Sequence, residues 1–597
     1  MRIDGTRGWY AAAFGLGLAM AATPEHAQSQ ISDYLDHDAL TDELRTVVDG
    51  SDLAQMRAIG SSREGREIWL VEIAADRSGT PVDTRPGVLV VGNLSGDHLA
   101  GSQLALETIR HLVGPGSDDA ELDEHVIYVV PRLNPDGAEA MFSGARDGRR
   151  GNAFAYDDDN DGRTDEDGAR DLNGDGVVTV MRVPDETGAF LADPEDPRLM
   201  RRADRARGER GTHALYREGA DADGDGFIGE DGVGGVDLDR NFQHEYPYWE
   251  ADAGLFMVSE PESRALMDFV IGHRNIAAVL TFGHSDNLLT PPASSGRLAD
   301  ATTLSLSALA DESLADVFTQ GVYPTPFQQG GPRLRGAQPG SDNDPDSGRR
   351  PEVTVNRTDV EYFGRVSEAY EELTGLDGVA LNRTAQGAFF QYAYYQFGVP
   401  SFSTPGWAVP EPEDAGEGDA RILAAFEADG VDAFVPWRSF THPDLGAVEI
   451  GGFRPDAVVN PPADRLPELG AAHGAFVARL STMLPRVRIA DLAVEGHGGG
   501  VFTVTAEVVN EGYFPSALQH GVVSRSVDPV LVQIQVDPER IVTGAAKSHR
   551  ITKLDGSGSR ERVSWVIHGA AGSSVEVRVR AQKGGSDTAT IVLGGDR

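Results

Sequence analysis

The chain has 597 residues, 40% of them hydrophobic, which is too long for one core and implies two or three domains. It carries 94 acids against 52 bases, a net charge of −42, so nucleic acids and other phosphate-rich partners are repelled. Cysteine is absent, which excludes disulfides and leaves bound calcium as a substitute source of stability for an exported protein.

Arg2 and Arg7 accompany the apolar stretch "WYAAAFGLGLAMAA", with small residues Ala19 and Ala21 and a later cleavage point in "EHAQ". This predicts a signal peptide over 1–27, because the apolar run falls short of the ~20 residues that span a bilayer. A periplasmic or extracellular location is the expectation, with no span after signal removal. From 31 to 485 short apolar strands alternate with helical patterns. "EIWLVEIA", "GVLVVGN", "HVIYVVPRLN" and "IAAVLTFGH" read as strands. "LAGSQLALETIRHLV" places Leu99, Leu104, Leu106, Ile109 and Leu112 on roughly one helical face. "SEPESRALMDFVIGHR" opens with Ser259 and Glu262 at capping-box spacing and Pro261 in the first turn. "GVPSFST" predicts a further buried strand, "FFQYAYYQF" an aromatic helix facing the core, and "DRLPELGAAHGAFVARLSTML" a closing helix. Residues 321–352 read as a long surface excursion rich in Gly, Pro, Asp and Arg. The fold class is α/β, with a mixed or parallel sheet. From 486 to 597 short alternating strands such as "VFTVTAEVVN" and "SSVEVRVRAQ" predict an immunoglobulin-like β-sandwich.

An Asp-rich insertion occupies about 150–235. "DDDNDGRTDEDG" supplies Asp157, Asp159, Asp161 and Asp165, and "DADGDGFIGEDG", 64 residues later, supplies Asp221, Asp223, Asp225 and Glu230. Between them "DLNGDGVVT" repeats the spacing with Asp171, Asn173 and Asp175. Calcium takes six to eight hard oxygen ligands, and a Gly after the third acid permits the sharp turn that gathers them. Calcium that orders an inserted loop is the expectation.

Several motifs together resemble the zinc carboxypeptidases, the carboxypeptidase A-like metallopeptidases. They are "SSREGREIWLVEIA", the "NPDG" turn at Asn134 to Gly137, "GGVDLDRNF", "LTFGHSDNLLTPP" and "FGVPSFSTPGW", in order over roughly 39–483. The resemblance implies a carboxypeptidase-like mixed-sheet α/β domain in 31–485. It also implies three zinc ligands from "H-x-x-E" and a later His, a Glu that moves the proton, and an Arg that grips the substrate carboxylate. The metal positions fall on Ser95, His98 and His284, and the catalytic Glu position on Pro405, so no catalytic set is intact. Asp97, Asp239 and Asp286 are the acids that could complete a ligand set around the two histidines. Substrate-binding positions are Arg240, Asp239 and Arg150, with Asp239 expected to place a negative charge beside the substrate carboxylate. Arg149 and Arg150 fall near where the family places an Arg that polarises the scissile carbonyl, or else they neutralise the adjacent acidic loop. Tyr392, Tyr394 and Tyr395 lie where the family has a substrate-capping Tyr. The leading expectation is a catalytically impaired pseudo-peptidase that binds peptide or peptidoglycan-derived C-termini. Two alternatives stand beside it: an active zinc metallocarboxypeptidase with an unusual ligand set, and a calcium-stabilised structural protein of the envelope.

Overall fold

The computed structural model describes residues 33–594 except 77–78, 156–163, 165–167, 222–227, 229–233, 293–353, 379–384, 413–417 and 545–546. The predicted signal peptide, the 321–352 excursion and the acids Asp157, Asp159, Asp161, Asp165, Asp223, Asp225 and Glu230 lie outside the described residues. Among the described residues no helix is long and apolar enough to cross a membrane.

A six-stranded sheet organises the described residues before 485. Its strands in chain order are β1 (Ala54–Ser61), β2 (Glu67–Ile73), β3 (Gly87–Gly92), β4 (Val126–Val130), β5 (Ile276–Phe282) and β6 (Ser401–Thr404). Across the sheet they run β1-β2-β4-β3-β5-β6. β1, β2 and β4 pair antiparallel, while β4, β3, β5 and β6 pair parallel, so the sheet is mixed. Every residue of β3, β4, β5 and β6 is buried, as expected of strands covered by helices on both faces. Helix Leu99–Val113 covers one face with the apolar stripe read from its sequence. Its Leu104, Leu106, Ile109 and Leu112 are fully buried, each worth roughly 1.5–3 kcal/mol of removed apolar surface. The closing helix Leu466–Thr482 belongs to the same core. Tyr392, Tyr394 and Tyr395 sit buried on helix Phe389–Tyr395, so the aromatic segment faces inward as its pattern predicts.

The capping box does not form. Helix Pro261–Gly272 begins after Glu260, with no side-chain cap, and Ser259 instead donates to the Glu260 carboxylate. Glu262 turns to accept from the Arg63 and Asn152 side of the fold, a tertiary demand that overrides the local spacing.

A second, six-stranded sheet was not legible in the sequence. It joins Val180–Pro184, Phe190–Ala192, Met200–Arg202 and His213–Arg217 of the insertion to Phe434–His442 and Gly446–Phe453. The C-terminal region forms two four-stranded antiparallel sheets around a core that includes Trp565. This unit is fastened to the first domain: buried Asp359 accepts from the backbone amides of Gln519 and His520. Lys583 reaches the other way, donating to the carbonyls of Arg274 and Ile276.

Candidate functional site

The site lies at the carboxyl ends of β3, β5 and β6, where an open α/β sheet forms its crevice. Register aligns Gly92 with Phe282 and Phe282 with Thr404, so the three strands end level. The residues that follow each strand, Asn93 to His98, Gly283 and His284, and Pro405, are therefore neighbours. The turn after β3 is tight enough to demand glycine. A Cβ on Gly92 would come within 2.4 Å of the Gly101 carbonyl oxygen and 2.7 Å of that of Pro131. Asn93, at φ 51°, holds the turn by donating from its side chain to the carbonyls of Ser95 and His98. Asn460 supports it from outside, donating to the Asp97 carbonyl and accepting from Ala100.

The structure brings Ser95, His98, His284 and Pro405 together, as the resemblance implies, and gives each an internal partner. Ser95 Oγ donates to Asp237 Oδ1 at 2.6 Å. His98 Nε2 donates to the Pro405 carbonyl at 3.0 Å, which fixes the proton on that nitrogen because a carbonyl can only accept. Its Nδ1 is buried against the backbone of Gly101, where even a Cβ would approach to 2.9 Å. His284 Nε2 donates to Asp97 Oδ1 at 2.7 Å, and the two histidine rings stand 5.2 Å apart. Burial, then the neighbouring His284, push the pKa of His98 down to about 3, so it is neutral.

Zinc needs several donors converging on one point at about 2.0–2.2 Å. Here a serine hydroxyl replaces one donor, and the second faces backbone. Among the described residues no three His, Asp or Glu side chains converge in that way. The donor set does not fit a zinc tripod. Of the other acids, Asp286 accepts from the backbone amides of Leu288, Leu289 and Thr290 and closes its own turn. Asp97 turns toward His284 rather than away from it. Of the late acids, Glu411 pairs with Arg421 and is exposed, far from a proton-transfer role.

The side of the crevice that holds Arg150, Asp239 and Arg240 is charged but internally paired. Arg240 Nε lies 3.2 Å from Asp252 Oδ1, and Arg150 lies 3.6 Å from both Asp252 Oδ2 and Asp237 Oδ2. Asp239 differs from expectation. It is buried, Oδ1 accepts from the Phe389 amide at 3.1 Å, and its pKa rises to about 8 through burial, reinforced by Asp237. A carboxyl held this way is protonated at neutral pH, so the expected negative charge beside a bound carboxylate is largely removed. Sequence reasoning missed Asp237 and Asp252. The first was visible in the "VDLDRN" motif, but nothing in the sequence ties Asp252 to two arginines. A cavity of about 330 Å³ opens beside His284, lined by residues including Ser285, Phe390, Tyr394 and Ser401.

In the Asp-rich insertion, Asp171 accepts from the amides of Gly174 and Gly176, and Asn173 and Asp175 accept from amides two residues on. Asp221 is described, and its predicted partners Asp223, Asp225 and Glu230 lie outside the described residues.

Residues 40–400 match the family model described as zinc carboxypeptidase, more than half of the chain. The chain belongs to the zinc carboxypeptidase family. Residues 486–592 match a second model, described as a domain of unknown function. Carboxypeptidase M of Mus musculus is 33% identical over 98 residues, 15% of this chain and 21% of the relative. Carboxypeptidase D of Mus musculus is 32% identical over 166 residues, 25% of this chain and 12% of the relative. The chain thus matches less than a quarter of the length of these curated relatives. Among solved structures, carboxypeptidase A from Helicoverpa armigera aligns with a TM-score of 0.35 at 14% identity, covering 74% of each chain. A metallo-carboxypeptidase from Burkholderia cenocepacia aligns with a TM-score of 0.31 at 13% identity, covering 74% of this chain and 69% of the other. The family uses zinc for hydrolysis, which sharpens the contrast with the donor set described above.

Proposed function

We propose that this zinc carboxypeptidase family member is a catalytically impaired peptidase that receives peptide or peptidoglycan-derived C-termini without cleaving them efficiently. The observation that carries the reading is the internal partnering of the three metal positions: Ser95 on Asp237, His98 on the Pro405 carbonyl and His284 on Asp97. The position of the family's proton-transferring Glu is a proline, whose only polar offering is a carbonyl already accepting from His98. Losing such a group alone costs ~10²–10⁴ in rate. Arg150 and Arg240 keep cationic groups at the crevice, and protonation of buried Asp239 removes a repelling charge there. In this reading the protein is exported, and calcium occupies the Asp-rich insertion, on the spacing of its acids; removal of calcium would then lower the melting temperature.

The test is elemental analysis of the purified protein together with a C-terminal residue-release assay with and without chelator. The reading expects well under one zinc per chain and no chelator-sensitive release, while a peptide acid binds and Arg240→Ala weakens it. One zinc per chain with chelator-sensitive release would overturn it in favour of an active enzyme. Peptide acids that do not bind at all would remove the receptor role.

A further inference from the structure

The loop after Arg240 is bracketed by two residues in the left-handed backbone region, Glu245 at φ 48° and Val258 at φ 56°. A β-branched residue there is strained, and such strain persists only where surrounding contacts impose it. Between these points four large apolar side chains stand in solvent: Trp249 at 98% exposure, Leu255 at 67%, Tyr248 at 63% and Phe256 at 57%. Such a concentration of exposed apolar surface in one loop marks an interaction site.

The loop is held rather than frayed. Tyr246 Oη donates to the Gly254 carbonyl at 2.6 Å, and its ring meets Tyr248 edge-on at 5.0 Å. Asn241 Nδ2 donates to the Ala253 carbonyl at 2.7 Å, and the Val258 amide donates to the Asn241 carbonyl at 2.7 Å. The aromatic groups are therefore presented by a fixed backbone, which lowers the entropy lost when something binds them. At the centre of the loop Asp252 contacts Arg240 and Arg150. Each of the four apolar residues lies within four positions of Asp252, roughly 14 Å of chain at most. The patch is thus tied through Asp252 to the two arginines of the crevice.

Charge selects the occupant. Glu250 is exposed beside Trp249, and the chain carries −42, so anionic bilayers and nucleic acids are disfavoured and a basic segment is favoured. We propose that the 248–256 loop recognises the body of an apolar, cationic peptide whose free carboxyl end is received at Arg150 and Arg240. This rests on the receptor reading above and names the ligand class for it.

The test uses the full chain and three fluorescein-labelled decapeptides: alternating Phe and Lys with a free carboxyl end, the same peptide amidated, and alternating Ser and Lys with a free end. Wild type is expected to bind the Phe–Lys acid roughly tenfold or more tighter than the Ser–Lys acid. The double variant Trp249→Ala, Phe256→Ala is expected to bring the two level with an unchanged melting temperature, since both side chains are exposed. Equal binding of the two acids by wild type, or an unchanged preference in the double variant, overturns the proposal. So does loss in that variant of self-association or of binding to phosphatidylcholine vesicles, which would assign the patch to a second copy or a bilayer. If amidation and Arg240→Ala weaken binding while the double variant does not, the receptor reading stands and the loop assignment falls. If no peptide acid binds wild type, both fall.

Discussion

Asp239→Asn isolates the cost of a buried acid in the crevice. The side chain is buried, its Oδ1 accepts from the Phe389 amide, and a Cβ placed on Gly283 would sit 3.3 Å from its Oδ2. An asparagine keeps the shape and the accepting oxygen while removing the titratable proton. The folded-state pKa of about 8 exceeds the ordinary 3.8 because burial, and then the charge of Asp237, disfavour the carboxylate. The native state therefore holds a proton that the unfolded chain has lost between those two values. Wild-type stability falls as pH rises from about 4 to about 8 and is then flat on this account; below 4 both states are protonated and no penalty exists. At roughly 1.4 kcal/mol per pH unit the ceiling at pH 7 is about 4 kcal/mol, which water entry and local relaxation reduce to about 2. Calorimetry of both proteins at pH 4.5, 7 and 9 follows the difference between them, in which other titrating groups largely cancel. Asp239→Asn should gain little at pH 4.5, clearly more at pH 7, and most at pH 9. A gap that does not change with pH, or a less stable variant at pH 9, would refute the assignment of a neutral buried acid.

Three other outcomes follow from the same geometry. Ser95→His with His98→Glu restores the family's paired ligands and frees the Pro405 carbonyl; zinc content should rise toward one per chain by elemental analysis, and no gain would mean that the Asp97–His284 pair by itself closes the site. Gly92→Ala drives a methyl into the carbonyls of Gly101 and Pro131, both backbone and unable to yield, so it should cost about 3 kcal/mol or prevent folding, read by circular dichroism. Asp359→Ala strips the acceptor from the Gln519 and His520 amides and from the Tyr394 hydroxyl, and should lower stability by about 3 kcal/mol and raise protease sensitivity at the junction near residue 485.

The sequence by itself determined what depends on local pattern. The nearly continuous apolar runs of β3 and β5 identify strands of a covered sheet, because burial on both faces favours such runs. The stripe from Leu99 to Leu112 identified the helix that follows, and the ordered motifs named the family and pointed to Ser95, His98, His284 and Pro405. Tertiary structure decided the rest. The second sheet pairs Val180–Pro184 with Gly446–Phe453, segments more than 250 residues apart, and no local periodicity encodes such a partner. The protonation of Asp239 comes from burial and from Asp237, not from its place in a motif. Likewise the partners that close on Ser95, His98 and His284 come from separate parts of the chain: Asp97 and Pro405 follow strand ends brought level by sheet register, and Asp237 caps the short helical turn Leu238–Arg240. Hydrogen bonds depend on distances in space, and a linear spacing specifies those only within a single element.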